Sequence, residues 1–162
     1  MSARTGIGYD SHRLEAGRRL VLGGVEVPDA PMGLAGHSDA DALTHAIIDA
    51  LLGAAGLGDI GLHFPDTDER WRDADSLDLL AQVCTFLDEH DFAVAHVDST
   101  VICEAPKLGP HRDDMRRVLA GAIGVPARAV NVKFTTNERM GAIGRGEGIA
   151  AMAVATLERA DS

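Results

Sequence analysis

One Asp and two His residues have the types and spacing of a metal site. Asp10 and His12 are two positions apart, so on a β-strand both side chains would lie on the same face. His45 lies in a segment of helical periodicity, four residues after Asp41 and four before Asp49. Asp49 is a candidate to orient the imidazole ring of His45. Asp10, His12 and His45 would leave one coordination position open for water or substrate, as in catalytic zinc sites. The spacing also fits a strand end in solvent and an exposed helical face.

Other polar residues lie where an α/β fold binds anions. His37 and Ser38 come directly before the predicted helix, where free N–H groups and the helix dipole favour an anion, although Ser38 could simply cap that helix. The turn at 105–107 follows a predicted strand, at a position where α/β sheets bind ligands. Thr135, Thr136 and Glu138 follow the next predicted strand. Their hydroxyls and carboxylate would suit a phosphate and a hydrated divalent cation.

Two other catalytic patterns are missing. The glycine-rich segment 144–148 lacks the spacing and the terminal Lys-Ser/Thr of a P-loop, so it predicts a turn. The sequence has no G-x-S-x-G elbow, and Cys103 has no assigned base, which disfavours nucleophilic catalysis.

The composition restricts the class of protein. The 162 residues are enough for one domain, and 15 basic against 25 acidic residues give a net charge of −10, which argues against a nucleic-acid partner. Cys84 and Cys103 form no C-x-x-C pair, and two such cysteines suggest buried thiols in a reducing compartment. No apolar run is long enough for a membrane span and the first ten residues have no signal-peptide pattern, so we expect a cytoplasmic protein.

The residue patterns predict alternating strands and helices. Strands are predicted at 5–12, 19–27 with a hairpin turn at Gly23-Gly24, 92–103, 130–136 and 149–157. The periodicity of segment 149–157 alone does not separate a strand from a helix. Helices are predicted at 43–54, from a cap at Asp75 or Ser76 to 91, and from Pro110 to 123. Segment 58–75 is too long and too polar for a mere connection, which suggests a substrate loop. The economical fold is one α/β sandwich with helices against a mixed sheet.

Several motifs match one enzyme family in order. They are GIGYDSH at 6–12, HSDAD at 37–41, DALLGAAGLGDIG at 49–61, HFPDTD at 63–68, EAPK at 104–107, VNVK at 130–133 and GRGEGIA at 144–150. Over nearly its whole length the chain therefore resembles the 2-C-methyl-D-erythritol 2,4-cyclodiphosphate synthases of the methylerythritol phosphate route to isoprenoids. The resemblance implies a phosphorus–oxygen lyase that cyclises 4-diphosphocytidyl-2-C-methyl-D-erythritol 2-phosphate and releases CMP without a covalent enzyme intermediate.

The resemblance also implies roles for individual residues. Asp10, His12 and His45 would hold zinc, and Glu138 would hold Mg²⁺ or Mn²⁺ together with the substrate diphosphate. His37 and Thr136 match positions that stabilise the transition state. Contacts to the methylerythritol phosphate part would come from Ser38, Asp59, Gly61, Phe64, Pro65, Asp66, Thr67 and Asp68, and Ser11 and Ile60 would be further substrate-binding residues. The cytidine and its phosphates would be bound by Cys103, Glu104, Ala105, Pro106, Lys107, Leu108, Gly109, Thr135 and Asn137, and further matching positions are Ala142 and Arg145.

The family fold implies a mixed sheet with helices on one face, one synthase domain over residues 1–162, and a homotrimer with active sites between subunits. Two dications and Lys107 would then offset the repulsion between an acidic protein and an anionic small-molecule substrate. Two other functions remain open at this point. One is a zinc-dependent phosphoesterase that uses water as the nucleophile, and the other is a noncatalytic trimer that binds a nucleotide or an isoprenoid diphosphate.

Four residues depart from the family pattern. Ala142 replaces a common Phe in a central trimer cavity, which weakens the expectation of an isoprenoid diphosphate near Arg145. Phe134 replaces a small residue and Gly109 a bulkier one, so we expect an altered nucleotide affinity. Ala40 replaces a common Gly and would stiffen the loop before the first helix.

Overall fold

A computed structural model of the chain describes residues 2–160. Its strands are β1 (Ala3–Ala16), β2 (Val21–Leu22), β3 (Val25–Glu26), β4 (Met32–Leu34), β5 (Phe92–Ile102), β6 (Val130–Thr135) and β7 (Gly148–Arg159). Its α-helices are α1 (Ala42–Ala55), α2 (Ile60–His63), α3 (Ser76–Glu89), α4 (Arg112–Ile123) and α5 (Gly141–Gly144), with 3₁₀ turns at Glu69–Trp71, Gly109–His111 and Ala127–Ala129. The predicted helices and strands are confirmed, with different ends, whereas β4, α2 and α5 were not predicted.

Five strands form one mixed sheet in the order β4-β1-β7-β5-β6. β7 lies at its centre and pairs antiparallel with β1, from Ala3 opposite Glu158 to Arg13 opposite Gly148. β7 also pairs antiparallel with β5, whereas β5 and β6 are parallel, so the polar residues after β5 and β6 meet at one edge of the sheet. The predicted hairpin is the separate pair β2–β3, which turns at Gly23-Gly24.

The helices pack on one face of the sheet. Side chains along β7 alternate, with Ala151, Ala153 and Ala155 buried toward the helices and Met152 and Val154 exposed on the other face. Between the sheet and the helices lies one continuous core in which α1 is buried along nearly its whole length. The predicted mixed sheet with helices on one face is therefore confirmed.

Two glycines bring β1 unusually close to α1. A Cβ atom at Gly8 would lie 1.8 Å from the carbonyl oxygen of Ala46, and one at Gly6 would lie 2.1 Å from that of Ala50. Any side chain at these positions would therefore force the strand and the helix apart. The close approach places the end of β1, with Asp10 and His12, beside the first turns of α1.

Asp41 caps α1 and joins it to the hairpin. Its carboxylate is fully buried and accepts hydrogen bonds from the backbone N–H groups of Thr44, Gly23 and Gly24. The expectation that Ser38 caps this helix is therefore wrong, and so is an exposed position for Asp41. No helix among residues 2–160 combines the length and the apolar character that crossing a membrane requires.

Candidate functional site

Asp10, His12 and His45 lie around one point between β1 and α1. Oδ2 of Asp10 is 2.8 Å from Nε2 of His12 and 3.1 Å from Nδ1 of His45. One ligand atom from each of the three residues lies within 4.8 Å of the others, and no other such group of His, Cys, Asp or Glu occurs in residues 2–160. The predicted ligands are therefore together, and the reading of Asp10 and His12 as a strand end in solvent is wrong.

The second nitrogen of each imidazole is held by the protein. Nδ1 of His12 is 2.9 Å from the carbonyl oxygen of Ala35, which can only accept, so this nitrogen carries a proton and Nε2 is the nitrogen that would present a lone pair to a metal ion. Nε2 of His45 is 2.8 Å from Oγ of Ser76, on the side away from Asp10. Such outer hydrogen bonds are typical of metal-ligating histidines.

The donor set fits a divalent metal ion. Ligand atoms of a tetrahedral zinc lie about 3.3 Å apart. The Asp10 oxygen is a few tenths of an ångström closer than this to the nitrogens of His12 and His45. Small side-chain movements would therefore admit an ion bound by one carboxylate oxygen and two imidazole nitrogens.

The cluster attracts a cation. Burial raises the pKa of Asp10, but hydrogen bonds from His12 and His45 outweigh this effect and hold the pKa at about 2. Burial lowers the pKa of His45, whereas its hydrogen bond to Asp10 and the charge of Asp10 raise it, and the net shift is upward. The carboxylate thus favours an extra proton on His45, and a metal ion at the cluster would take the place of that proton.

The cluster opens into a pocket of about 400 Å³. Besides the three candidate ligands, the predicted site residues that line it are His37, Ser38, Ile60, Gly61, Phe64, Pro65 and Asp66. Trp71 and Leu79 also line it and were not predicted. Four predicted residues do not line this pocket; they are Ser11, Asp59, Thr67 and Asp68. The carboxylate of Asp59 accepts from the N–H of Leu62 and caps α2.

Hydrogen bonds hold the loop 59–75 over this pocket. Nε2 of His37 is 3.0 Å from the carbonyl oxygen of Asp68, and the N–H of Asp73 donates to the carbonyl of His37. The carboxylate of Asp49 accepts from the N–H of Ile60 at 2.8 Å. Asp49 therefore positions α2, and the expectation that it orients His45 is wrong; Ser76 contacts that ring instead.

A second pocket of about 340 Å³ lies at the edge of the sheet where β5 and β6 end. Predicted residues that line it are Cys103, Glu104, Pro106, Lys107, Leu108, Gly109, Thr135 and Thr136. Pro110, Arg112 and Phe134 also line it. Ala105, a predicted site residue between Glu104 and Pro106, does not line this pocket. Sequence analysis singled out Phe134 only as a departure from the family pattern, and it missed Arg112 because a charged residue on the first turn of a helix has no distinguishing pattern.

The remaining predicted residues lie outside both pockets. Glu138 is exposed, and its N–H donates to Oγ1 of Thr136 at 3.1 Å. Nearby, Oε1 of Glu104 accepts from the N–H of Asn137 at 2.8 Å, which fixes the loop after β6. Ala142 is exposed on α5, and the guanidinium of Arg145 pairs with Glu147. Glu138 thus lines neither pocket, and it belongs to no group of three potential ligands among residues 2–160.

Comparison with known proteins agrees with this arrangement. Residues 3–158 match the model of the YgbB family. The 2-C-methyl-D-erythritol 2,4-cyclodiphosphate synthase of Salinibacter ruber is 56% identical over 157 residues, which are 97% of this chain and 99% of the relative. A solved structure of such a synthase with bound CDP has a TM-score of 0.87 and 40% identity, and the match covers 96% of this chain and 100% of that one.

A bifunctional IspDF from Campylobacter jejuni is also similar, with a TM-score of 0.95 and 40% identity over 99% of this chain but only 43% of that longer one. The matches extend over the strands and helices that carry both pockets. The chain therefore belongs to the YgbB family and is similar over nearly its whole length to 2-C-methyl-D-erythritol 2,4-cyclodiphosphate synthases.

Proposed function

We propose that this chain converts 4-diphosphocytidyl-2-C-methyl-D-erythritol 2-phosphate into 2-C-methyl-D-erythritol 2,4-cyclodiphosphate and CMP. The observation that carries the proposal is the Asp10, His12 and His45 cluster, which opens into a pocket in a chain 56% identical to a synthase of that name. An oxygen of the 2-phosphate attacks the β-phosphorus, and the bond from that phosphorus to the bridging oxygen of CMP breaks. The step needs no oxidant, reductant or covalent enzyme intermediate.

The metal ions proposed here are zinc and a second divalent ion. Asp10, His12 and His45 would hold zinc, and Glu138 would hold Mg²⁺ or Mn²⁺ together with the substrate diphosphate. When bound, these ions supply Lewis acidity and neutralise phosphate charge. The chain itself contributes fixed polar groups and a pocket that orients the two phosphates, which is the main requirement of a phosphoryl transfer.

His37 and Thr136 are proposed to stabilise the transition state. The hydrogen bond from Nε2 of His37 to the Asp68 carbonyl fixes the imidazole at the wall of the first pocket. Oγ1 of Thr136 accepts from the N–H of Glu138, which leaves the hydroxyl hydrogen free to donate to a phosphate oxygen. Both groups would therefore be oriented before the substrate binds.

The nucleotide part is proposed to bind at the second pocket. The segment Cys103 to Gly109 provides backbone groups and the cation of Lys107, while Thr135 and Thr136 would hold the phosphates. Eight further residues are proposed substrate contacts, although they line neither pocket of the single chain; they are Ser11, Asp59, Thr67, Asp68, Ala105, Asn137, Ala142 and Arg145.

A homotrimer would join the two halves of the site. The two pockets of one chain are separate, yet one substrate must contact both the metal cluster and the nucleotide segment. The sheet face without helices exposes large apolar side chains, namely Ile7 (67%), Tyr9 (57%), Met152 (43%) and Val154 (42%). Burying this face between subunits would remove apolar surface from water and place the nucleotide segment of one subunit beside the metal cluster of the next.

The wider assignments follow the same reasoning. We propose that residues 1–162 form one synthase domain, because one apolar core joins the sheet to all the larger helices. The free thiols of Cys84 and Cys103 support a cytoplasmic location. The net charge of −10 supports a small anionic ligand bound with metal ions rather than a nucleic acid.

Phosphorus NMR of the purified protein with substrate, zinc and magnesium tests the proposed reaction. We expect CMP and the cyclic diphosphate to appear together. CMP with an uncyclised diphosphate would instead identify a phosphoesterase, because water would then be the nucleophile. An unchanged substrate in a folded, metal-loaded protein would leave the noncatalytic binding protein as the function.

The variant His45→Ala tests the zinc assignment. We expect it to lose zinc and turnover while it keeps its circular dichroism spectrum. His90→Ala is the matched control, because this exposed histidine lies at the far end of α3, where its Nδ1 contacts the carbonyl of Phe86. Full activity of His45→Ala after verified loss of zinc would reject the assignment.

A further inference from the structure

A hydrogen-bond chain leads from the metal cluster through the buried hydroxyl of Ser76 to Asp39, which is partly exposed on the other side. Ser76, the first residue of α3, is fully buried, and its Oγ lies 2.8 Å from Nε2 of His45. The same hydroxyl donates to Oδ1 of Asp39. The other oxygen of Asp39 accepts from the N–H of Ser76 at 2.9 Å, so Ser76 binds both oxygens of the carboxylate.

The direction of this chain follows from its donors and acceptors. An ionised carboxylate can only accept, so the single hydrogen of the Ser76 hydroxyl is committed to Asp39. Oγ of Ser76 must then accept from the imidazole, which places a proton on Nε2 of His45. Nδ1, which lies 3.1 Å from Asp10, is therefore the nitrogen available to a metal ion.

The other hydroxyl near this ring is a weaker partner. Oγ of Ser38 lies 3.3 Å from Nε2 of His45 and also accepts from the N–H of Ala40 at 3.3 Å. Ser38 lines the open pocket, whereas Ser76 is shielded from solvent. Loss of Ser76 would therefore leave Nε2 with one long hydrogen bond.

We propose that Ser76 and Asp39 are positioning residues that fix the tautomer and the ring orientation of His45 for metal binding. The proposal rests on the proposed function of Asp10, His12 and His45 as the zinc site. Removal of an outer hydrogen-bond partner of a metal-ligating histidine typically lowers metal affinity about 10- to 100-fold. We expect Ser76→Ala to weaken zinc binding by this factor.

Competition with a chromophoric chelator measures the zinc affinity of the full chain without substrate. Ser99→Ala is the matched control, because Ser99 is also buried but donates to the carbonyl of Asn131 in the sheet. We expect Ser99→Ala to bind zinc as the unaltered chain does. Equal zinc affinity in Ser76→Ala and the unaltered chain would overturn the positioning role and leave the zinc site standing, whereas no zinc binding by the unaltered chain would overturn both.

Asp39→Asn provides a second test with a spectroscopic readout. Its amide group can donate to Oγ of Ser76, which would let that hydroxyl donate to His45 and reverse the chain. Long-range proton–nitrogen NMR of the zinc-loaded protein distinguishes the two ring nitrogens. We expect a protonated Nε2 in the unaltered chain and a weakened preference, with lower zinc affinity, in Asp39→Asn. An unchanged spectrum together with unchanged affinity would reject the proposal even if Ser76→Ala did not fold.

Discussion

Phe134 gives the proposed nucleotide pocket an aromatic wall. It lies at the end of β6, and the guanidinium of Arg112 is 5.2 Å from the centre of its ring. Nε of Arg112 donates to the carbonyl of Val132 at 3.1 Å, which fixes this pair against the strand. A flat, preorganised aromatic surface of this kind is suited to stacking on a pyrimidine base.

Replacement of Phe134 by Ala should therefore weaken nucleotide binding. Stacking of a base on an aromatic side chain is worth about 1–3 kcal/mol, so we expect the Kd for CMP to rise roughly 5- to 150-fold. Isothermal titration calorimetry measures this change, for which the upper limit of about 3 kcal/mol corresponds to roughly 150-fold, and Phe134→Tyr, which keeps the ring, is the control. If Phe134→Ala bound CMP as tightly as the unaltered chain, the base would not contact this ring.

The two cysteines should be unreactive in the folded protein. Burial raises the pKa of Cys84 to about 12 and that of Cys103 to about 11, so both remain neutral thiols at pH 8. Because the thiolate is the reactive form, we expect slow labelling by iodoacetamide between pH 7 and 9.5 and rapid labelling of both residues in denaturant. Mass spectrometry follows each site, and fast labelling of the folded chain at pH 8 would contradict the raised pKa values.

The candidate metal ligands were predictable from sequence, whereas their supporting residues were not. The spacing of Asp10 and His12 requires only a strand to bring them together, and the family motifs identified His45. Ser76 lies 31 residues after His45, so only the packing of α3 beside α1 could reveal their contact. Asp49 lies four residues after His45 on the same helix, but its carboxylate binds the N–H of Ile60 in α2 instead. The spacing of two residues on a helix does not decide which neighbouring group a carboxylate binds.

At the scale of elements, local signals predicted where most helices lie. Aliphatic periodicity and the caps at Asp75 and Gly124 were sufficient for α3 and α4. The alanine-rich segment that forms β7 could not be distinguished from a helix by its pattern, and its pairing with β1 and β5 decides the outcome. The architecture predicted from the sequence was therefore correct, while the exact ends of individual strands and helices depended on tertiary contacts.

The contact between β1 and α1 makes position 8 sensitive to a single methyl group. A Cβ atom at Gly8 would overlap a backbone oxygen, so we expect Gly8→Ala to lower the free energy of unfolding by at least about 3 kcal/mol. Gly53→Ala is the matched control, because a Cβ there meets nothing closer than 3.9 Å. In the interior of α1 this substitution should instead stabilise the protein by about 0.5–1 kcal/mol.

Urea unfolding at one fixed protein concentration compares the two glycine variants. Equal stability of Gly8→Ala and the unaltered chain would show that β1 and α1 can separate without cost. Zinc affinity should fall together with stability in Gly8→Ala, because the same displacement would move Asp10 away from His45.

At the scale of the whole molecule, the proposed sharing of active sites between subunits predicts complementation. His45→Ala would inactivate the metal half of a site, and Glu138→Ala would inactivate the nucleotide half. Mixed trimers form when equal amounts of the two variants are refolded together. A site is intact when its metal half comes from Glu138→Ala and its nucleotide half comes from His45→Ala, so about 25% of the sites should be active. Each variant alone should be inactive.

The kcat per total chain of the mixture measures this fraction. A mixture of His45→Ala with His45→Ala carrying Glu138→Ala is the control, because none of its sites can be intact. No recovery of activity in the first mixture, despite verified mixed trimers, would place both halves of each site within one subunit.

The position of β7 has a consequence for the synthesis of the protein. β1 and β5 both pair with this central strand, although β7 is made after every other strand of the sheet. While a ribosome is still adding residues 148–159, the edges of β1 and β5 that pair with β7 have no partner, and the candidate metal ligands on β1 lie on an incomplete sheet. The sheet can therefore form only after β7 has emerged, and until then a nascent chain is open to chaperones and to aggregation through these edges.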